Sequence, residues 1–266
     1  MRDIAVVIPT VDRWPRAAYL GETLANFTRA GVWWSRRLHS MHIVDTGLVV
    51  PDVAPWPERA LDGVTYSCAE HVDQPNIPLI HRPSARRLPT ENAAAALRAG
   101  CLQGVAWVLF VEDDVDVCAN FLCGIGEWLD RNARIDRHVY CFSGDNQAIS
   151  DAVALGRETW NYPVASHWGT QCMALRQAAA LDLSSWWVEH PLFRHADGRE
   201  DTAYDLEMHR WADARGYQYF LASAPSFVSH IGVDSAINPT RAWHPQFTSW
   251  PGRDWSYQPK QQESRS

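Results

Sequence analysis

The chain has 266 residues, with 24 Lys plus Arg against 31 Asp plus Glu, a formal charge of −7, and 46% hydrophobic residues. That balance excludes wholesale disorder, and a pI near 5.8 argues against the broad basic face that nucleic-acid binding needs. The longest apolar stretch, about residues 104–111, is far too short to span a bilayer, and the brief N-terminal apolar run has no small-residue cleavage site, so the expectation is a cytoplasmic protein with no membrane partner.

In chain order, Ile4 to Pro9 is a β-branched run ended by proline and reads as a buried strand. Residues 15–30 set Tyr19, Leu20, Leu24 and Phe27 on one helical stripe, with Gly31 as the stop. Residues 41–44 form a second strand running into Asp45, and residues 63–68 are a third candidate. Residues 89–100 read as an alanine-rich helix with Thr90 as its N-cap. Residues 105–111 are the strongest strand and lead directly into Glu112, Asp113 and Asp114. Strands alternating with helices imply a mostly parallel, doubly wound sheet, in which ligands bind beyond the carboxyl ends of the strands. Asp12, Asp45 and the 112–114 cluster all follow strand ends, so three acidic sites should line one rim.

Further on, residues 121–131 read as a helix and residues 139–142 and 172–175 as strands. Residues 201–215 read as a helix stopped by Gly216, followed by short strands at 217–221 and 227–230. From residue 234 the chain is rich in Pro and Trp, then polar, and reads as an irregular tail. The six cysteines form no Cys-x-x-Cys pair and are expected to be free thiols. The 14 tryptophans exceed ordinary core needs, and those at 160, 168, 186, 187, 243 and 250 offer flat, amphipathic contact surfaces.

Three features carry chemistry. Alternate side chains of an extended segment face the same way, so Glu112 and Asp114 can reach one ligand together, and carboxylates suit Mg2+ or Mn2+. Glu200 precedes the later helix and Asp201 begins it. There Asp201 and Asp205 would share a face, and Asp201 could serve as a general base at the mouth of a pocket. His230 ends an apolar strand and gains meaning beside these acids.

The order of Val6 to Thr10, Ile43 to Asp45, Asn92 in an alanine-rich helix, Glu112-Asp113-Asp114, Glu200-Asp201 and Ser229-His230 resembles the nucleotide-sugar glycosyltransferases of the GT-A fold. The resemblance spans roughly residues 3–232 and implies an α/β (Rossmann-like) domain with a mostly parallel central sheet flanked by helices. It further implies a nucleotide-sugar-binding half at 1–116, an acceptor-binding half at 117–235 and a tail or lid at 236–266. On this resemblance Thr10, Asp12, Asp45, Arg86, Arg87, Asn92 and Asp113 surround the donor, a UDP-sugar for preference. Glu112, Asp114 and His230 would hold Mn2+ or Mg2+, Asp201 would be the base and Glu200 its neighbour. Trp168, Thr170, Asp205 and Trp243 would face a hydroxyl acceptor, which could be a glycan, a small molecule or a modified DNA base. Two departures stand out. Thr46 follows Asp45 where many relatives have a second Asp, and Glu207 to Trp211 imitates a processive-synthase motif too close to Asp201 to be one.

Competing readings are weaker. A nucleotidyltransferase needs a glycine-rich loop after the first strand, and residues 10–15 hold no glycine. A metal-dependent hydrolase would show more paired His and Asp. A non-catalytic carbohydrate-binding module would explain the tryptophans but not the acids at a parallel strand end.

Overall fold

The computed structural model describes residues 3–10, 19–45, 76, 78–81, 83, 87–134, 137–143, 147–166, 170–194, 198–201 and 203–231. The expected strand at 63–68, the tail from 236, and Asp12, Arg86, Trp168 and Trp243 lie outside these residues.

The run from Ile4 forms β1 (Ile4–Thr10), buried along its whole length as expected of a strand covered on both faces. It lies between β2 (Leu38–Asp45) and β4 (Trp107–Val111), parallel to both, and β2 in turn pairs in parallel with β3 (Leu79–His81). The register sets Thr10 opposite Asp45, so the two polar residues end their strands side by side. Beyond β4 comes β8 (Cys172–Arg176), antiparallel to both β4 and β6 (Val139–Cys141). The far edge is β11 (Tyr219–Ser223), parallel to β6, and then β7 (Thr159–Pro163), antiparallel to β11. The eight-stranded order is β3-β2-β1-β4-β8-β6-β11-β7, mostly parallel with β8 and β7 reversed. This is the α/β architecture expected from the alternating pattern.

Helices α1 (Leu20–Arg29) and α3 (Phe121–Asn132), with the short 3-10 turn Val32–Trp34, cover one face, packing Phe27, Trp33, Phe121 and Trp128 against the sheet. Helices α2 (Pro89–Gly100), α4 (Gln147–Ala154), α5 (Gln177–Glu189) and α6 (Tyr204–Ala214) cover the other, with Trp187 and Trp211 in its core. Gly100 lets α2 lie close to the sheet: a Cβ there would stand 2.7 Å from a Val7 methyl and 2.8 Å from one of Val108. Much of the tryptophan excess is therefore packing. Trp33, Trp34, Trp107, Trp128, Trp187 and Trp211 are buried, while Trp160 and Trp186 lean against the second core.

Several expectations change. The helix read from Asp201 begins at Tyr204, because Glu200–Asp201 forms β10, paired antiparallel with β9 (Phe193–Arg194). Asp201 and Asp205 therefore share no helical face. Thr90 is not the N-cap of α2. Pro89 opens the helix and holds Leu88 extended, and the Glu91 carboxylate accepts the Leu88 N–H at 2.8 Å. The acidic cluster is followed by a strand, β5 (Val115–Val117), which pairs antiparallel with β12 (Val228–His230) and sets Val115 opposite His230. Helix α5 escaped notice because it follows β8 without a turn residue and carries exposed apolar side chains, Leu181 and Val188, that blur its stripe.

One buried pair makes stability depend on pH. His42 on β2 is buried, its Nδ1 lies 2.9 Å from Nε2 of His81 on β3, and its Nε2 lies 2.9 Å from the Ser40 hydroxyl. Burial, and then the neighbouring His81 and His39, lower its pKa to about 4. The folded protein thus keeps His42 neutral where the unfolded chain, with an ordinary value of 6.5, takes up a proton. The contribution of this one group is complete above about pH 6.5 and is lost as pH falls towards 4, by on the order of 3 kcal/mol. Urea unfolding at pH 7 and pH 4.5 should show a smaller loss for His42→Gln than for the unaltered protein. Equal losses would remove His42 as the cause.

Candidate active site

Three strand ends are tied together before any ligand arrives. The Thr10 hydroxyl donates to Asp113 Oδ2 at 2.7 Å. The amide of Asn92, on α2, donates to the carbonyls of Thr10 at 3.0 Å and Val44 at 2.6 Å, joining the ends of β1 and β2. From α1, the Thr23 hydroxyl donates to the Asp113 carbonyl at 2.8 Å and accepts the Val115 N–H at 3.1 Å. Buried carbonyls left unpaired would each cost roughly 1–3 kcal/mol, so these ties fix the turn after β4 firmly.

With Asp113 turned to β1, its two neighbours serve another group. Asp114 is buried, and its Oδ2 lies 3.1 Å from Nε2 of His230. The strand pair β5–β12 brings that histidine in, and the Ile231 N–H donates to the Asp114 carbonyl at 2.8 Å. Glu112 completes the group: one potential ligand atom from each of Glu112, Asp114 and His230 lies within 4.8 Å of the others. Burial first, and the Asp114 carboxylate second, raise the Glu112 pKa. Two carboxylates pressed together in this way favour a bound cation, and two carboxylates with one imidazole form a donor set that could hold a divalent metal ion. The structure brings together the three residues that the sequence pattern grouped.

Glu112 is also held from two sides. The Thr170 hydroxyl donates to Glu112 Oε1, and the Tyr204 hydroxyl reaches the same oxygen at 3.3 Å. Thr170, expected at the acceptor, is buried with its hydroxyl against the acidic cluster. Tyr204 and Thr23 were not foreseen. Their only trace in the sequence is a hydroxyl at each position, and nothing in spacing marks them out.

The other expected residues divide. Asp45 is buried at the end of β2, beside Thr10. Asn92 is wholly buried and acts as a tie between strands. Arg87 stands just ahead of α2. Asp201 is buried on β10, and its Oδ1 accepts the Thr90 N–H at 3.2 Å, in the first turn of α2 where a carboxylate is favoured. Glu200 is exposed on the hairpin and ion-paired to Arg194. Asp205 accepts the N–H of Leu206 beside it. Glu207 accepts Trp186 Nε1 and Arg210 Nη1, while Trp211 Nε1 donates to Asp182, so that segment packs α5 against α6.

No family model and no curated protein matches the chain. Among solved structures, crystal structures of S. aureus TarS resemble it at 12% identity and a TM-score of 0.44, covering 84% of this chain and 35% of that one. TarS 1–349 gives 13% and 0.46, covering 83% and 57%. TarS 1–349 in complex with UDP gives 11% and 0.49, covering 85% and 59%. The chain therefore spans less than two thirds of the length of each of these proteins. Among the described residues, no helix is long and apolar enough to cross a membrane.

Proposed function

We propose that this protein transfers a sugar from a nucleoside diphosphate sugar, UDP-sugars first, to a hydroxyl acceptor with the help of Mn2+ or Mg2+. One observation carries the reading: Glu112, Asp114 and His230 converge within 4.8 Å at the carboxyl end of β4, next to the ends of β1 and β2. Open α/β sheets bind their ligands at that rim.

Glu112, Asp114 and His230 would hold the cation, which when bound neutralises charge on the diphosphate leaving group. Thr10 and Asp45, ending adjacent strands, take the nucleoside, and Arg87 ahead of α2 meets the phosphates. Asp201 accepts the proton of the acceptor hydroxyl as its oxygen bonds to the anomeric carbon and the bond from that carbon to the phosphate oxygen breaks. Its place supports this role. It is fixed at the start of α2, and it precedes by three residues Tyr204, whose hydroxyl touches Glu112, so base and cation site lie within a few side-chain lengths. Asp205, Trp168 and Trp243 remain candidates for the acceptor side, and residues 236–266 for a closing lid.

Thermal unfolding in the presence of nucleoside diphosphates, with and without Mn2+, tests the reading. UDP with Mn2+ together should raise the midpoint well beyond either alone, as binding to the folded state requires. A chain stabilised by free sugars, and by no nucleotide with or without metal, would be a binding module and not a transferase.

A further inference from the structure

We propose that Thr170 and Tyr204 are positioning residues that hold one oxygen of Glu112 and thereby select the kind of divalent cation the site accepts. The proposal rests on the cation site inferred above and deepens it. Both hydroxyls donate to the same atom, Glu112 Oε1. A carboxylate oxygen has two lone pairs, and two donors occupy both. Only the second oxygen of Glu112 is then left for a metal, so the residue binds through one oxygen and not two.

The two donors are themselves fixed by different parts of the fold. Thr170 stands just before β8, where the Gln171 carbonyl accepts the Glu112 N–H at 3.0 Å, so hydroxyl and carboxylate are tied through the backbone as well. Tyr204 opens α6. Its ring packs edge-on to Phe110 and against Trp187, with centroids 6.2 and 5.4 Å away, and its carbonyl accepts Trp187 Nε1 at 2.9 Å. The Tyr204 ring cannot swing aside without disturbing these core contacts, and Thr170 is buried beside Glu112. Glu112 thus arrives already ordered, and the conformational entropy of a three-torsion side chain has been spent during folding instead of during binding.

Single-oxygen coordination has a chemical consequence. Ca2+ takes six to eight oxygens and commonly a bidentate carboxylate, whereas Mg2+ and Mn2+ keep compact octahedral shells. Holding Oε1 away from the metal excludes the bidentate mode and disfavours Ca2+.

The test measures binding of Mn2+ alone to the full chain by electron paramagnetic resonance of the free ion, then its displacement by Ca2+. Four variants are compared with the unaltered protein: Asp114→Asn, Thr170→Val, Thr170→Ser and Tyr204→Phe, plus the Thr170→Val/Tyr204→Phe pair. Thr170→Val and Tyr204→Phe keep shape and remove only a hydroxyl. Partners of this kind typically change metal affinity by roughly 10–100-fold. Mn2+ affinity should fall in that range for the pair, the preference for Mn2+ over Ca2+ should shrink, and Thr170→Ser should retain both. A merely structural role would not change the Mn2+ to Ca2+ ratio. Loss of Mn2+ binding in Asp114→Asn with the ratio unchanged in the hydroxyl variants overturns this proposal and leaves the cation site standing. Absence of Mn2+ binding by the unaltered chain, or equal binding by Asp114→Asn, overturns the cation site itself and this proposal with it.

Discussion

Asp114→Asn is expected to lower cation-dependent transfer by roughly 10²–10⁴-fold, the loss that several kcal/mol of charge stabilisation represents. The substitution keeps the volume of a buried side chain and removes its charge. The backbone carbonyl of residue 114 still accepts the Ile231 N–H, so the junction of β5 and β12 survives. Asp114 also raises the Glu112 pKa, so taking its charge away relieves a repulsion in the folded state. Thermal stability without metal should therefore hold or rise slightly while Mn2+ response disappears. Transfer rates measured across a Mn2+ titration check this directly. A variant whose rate still rises with Mn2+ to the unaltered level would place the cation elsewhere.

The second large effect belongs to Asp201. Asp201→Asn should reduce turnover by roughly 10²–10⁴-fold, the usual contribution of a general base, with donor binding intact. Asparagine keeps an oxygen able to accept the Thr90 N–H, so the start of α2 stays capped and the donor rim undisturbed. The informative pattern is a lower kcat with unchanged affinity for the nucleotide. A rate close to that of the unaltered protein would leave Asp201 as a tie between β10 and α2, with the proton taken by another group.

Strands β1 and β4 and the end of β2 were legible because they are buried and read as unbroken apolar runs, whereas the exposed edge strand β3 was not read from the sequence. The acidic cluster could be read for the same reason: charges that interrupt such a run stand out. The second half was harder. Edge strand β7 contains Asn161 and ends in Pro163, residues that usually signal a loop, and it is a strand only because β11 lies beside it. Asp201 shows the limit of spacing arguments. Helical periodicity extends back to it, yet pairing with β9 pulls it into a hairpin and gives it a different partner. Tyr204 and Thr170 were illegible in their roles because a hydroxyl acquires meaning only from the atom across from it, and that atom lies 92 and 58 residues away.

Those separations bear on how the site comes into being. Thr10 meets Asp113 across 103 residues, Thr90 meets Asp201 across 111, and His230 meets Asp114 across 116. Contacts between such distant parts of a chain form slowly, because each closes a large loop before it gains anything. A growing polypeptide that has completed β1, β2 and β4 holds Glu112 and Asp114 side by side without the histidine that joins them. His230 can join the centre only once β12 is laid against β5, so a chain stalled before residue 230 carries Glu112 and Asp114 without the imidazole that lies beside Asp114.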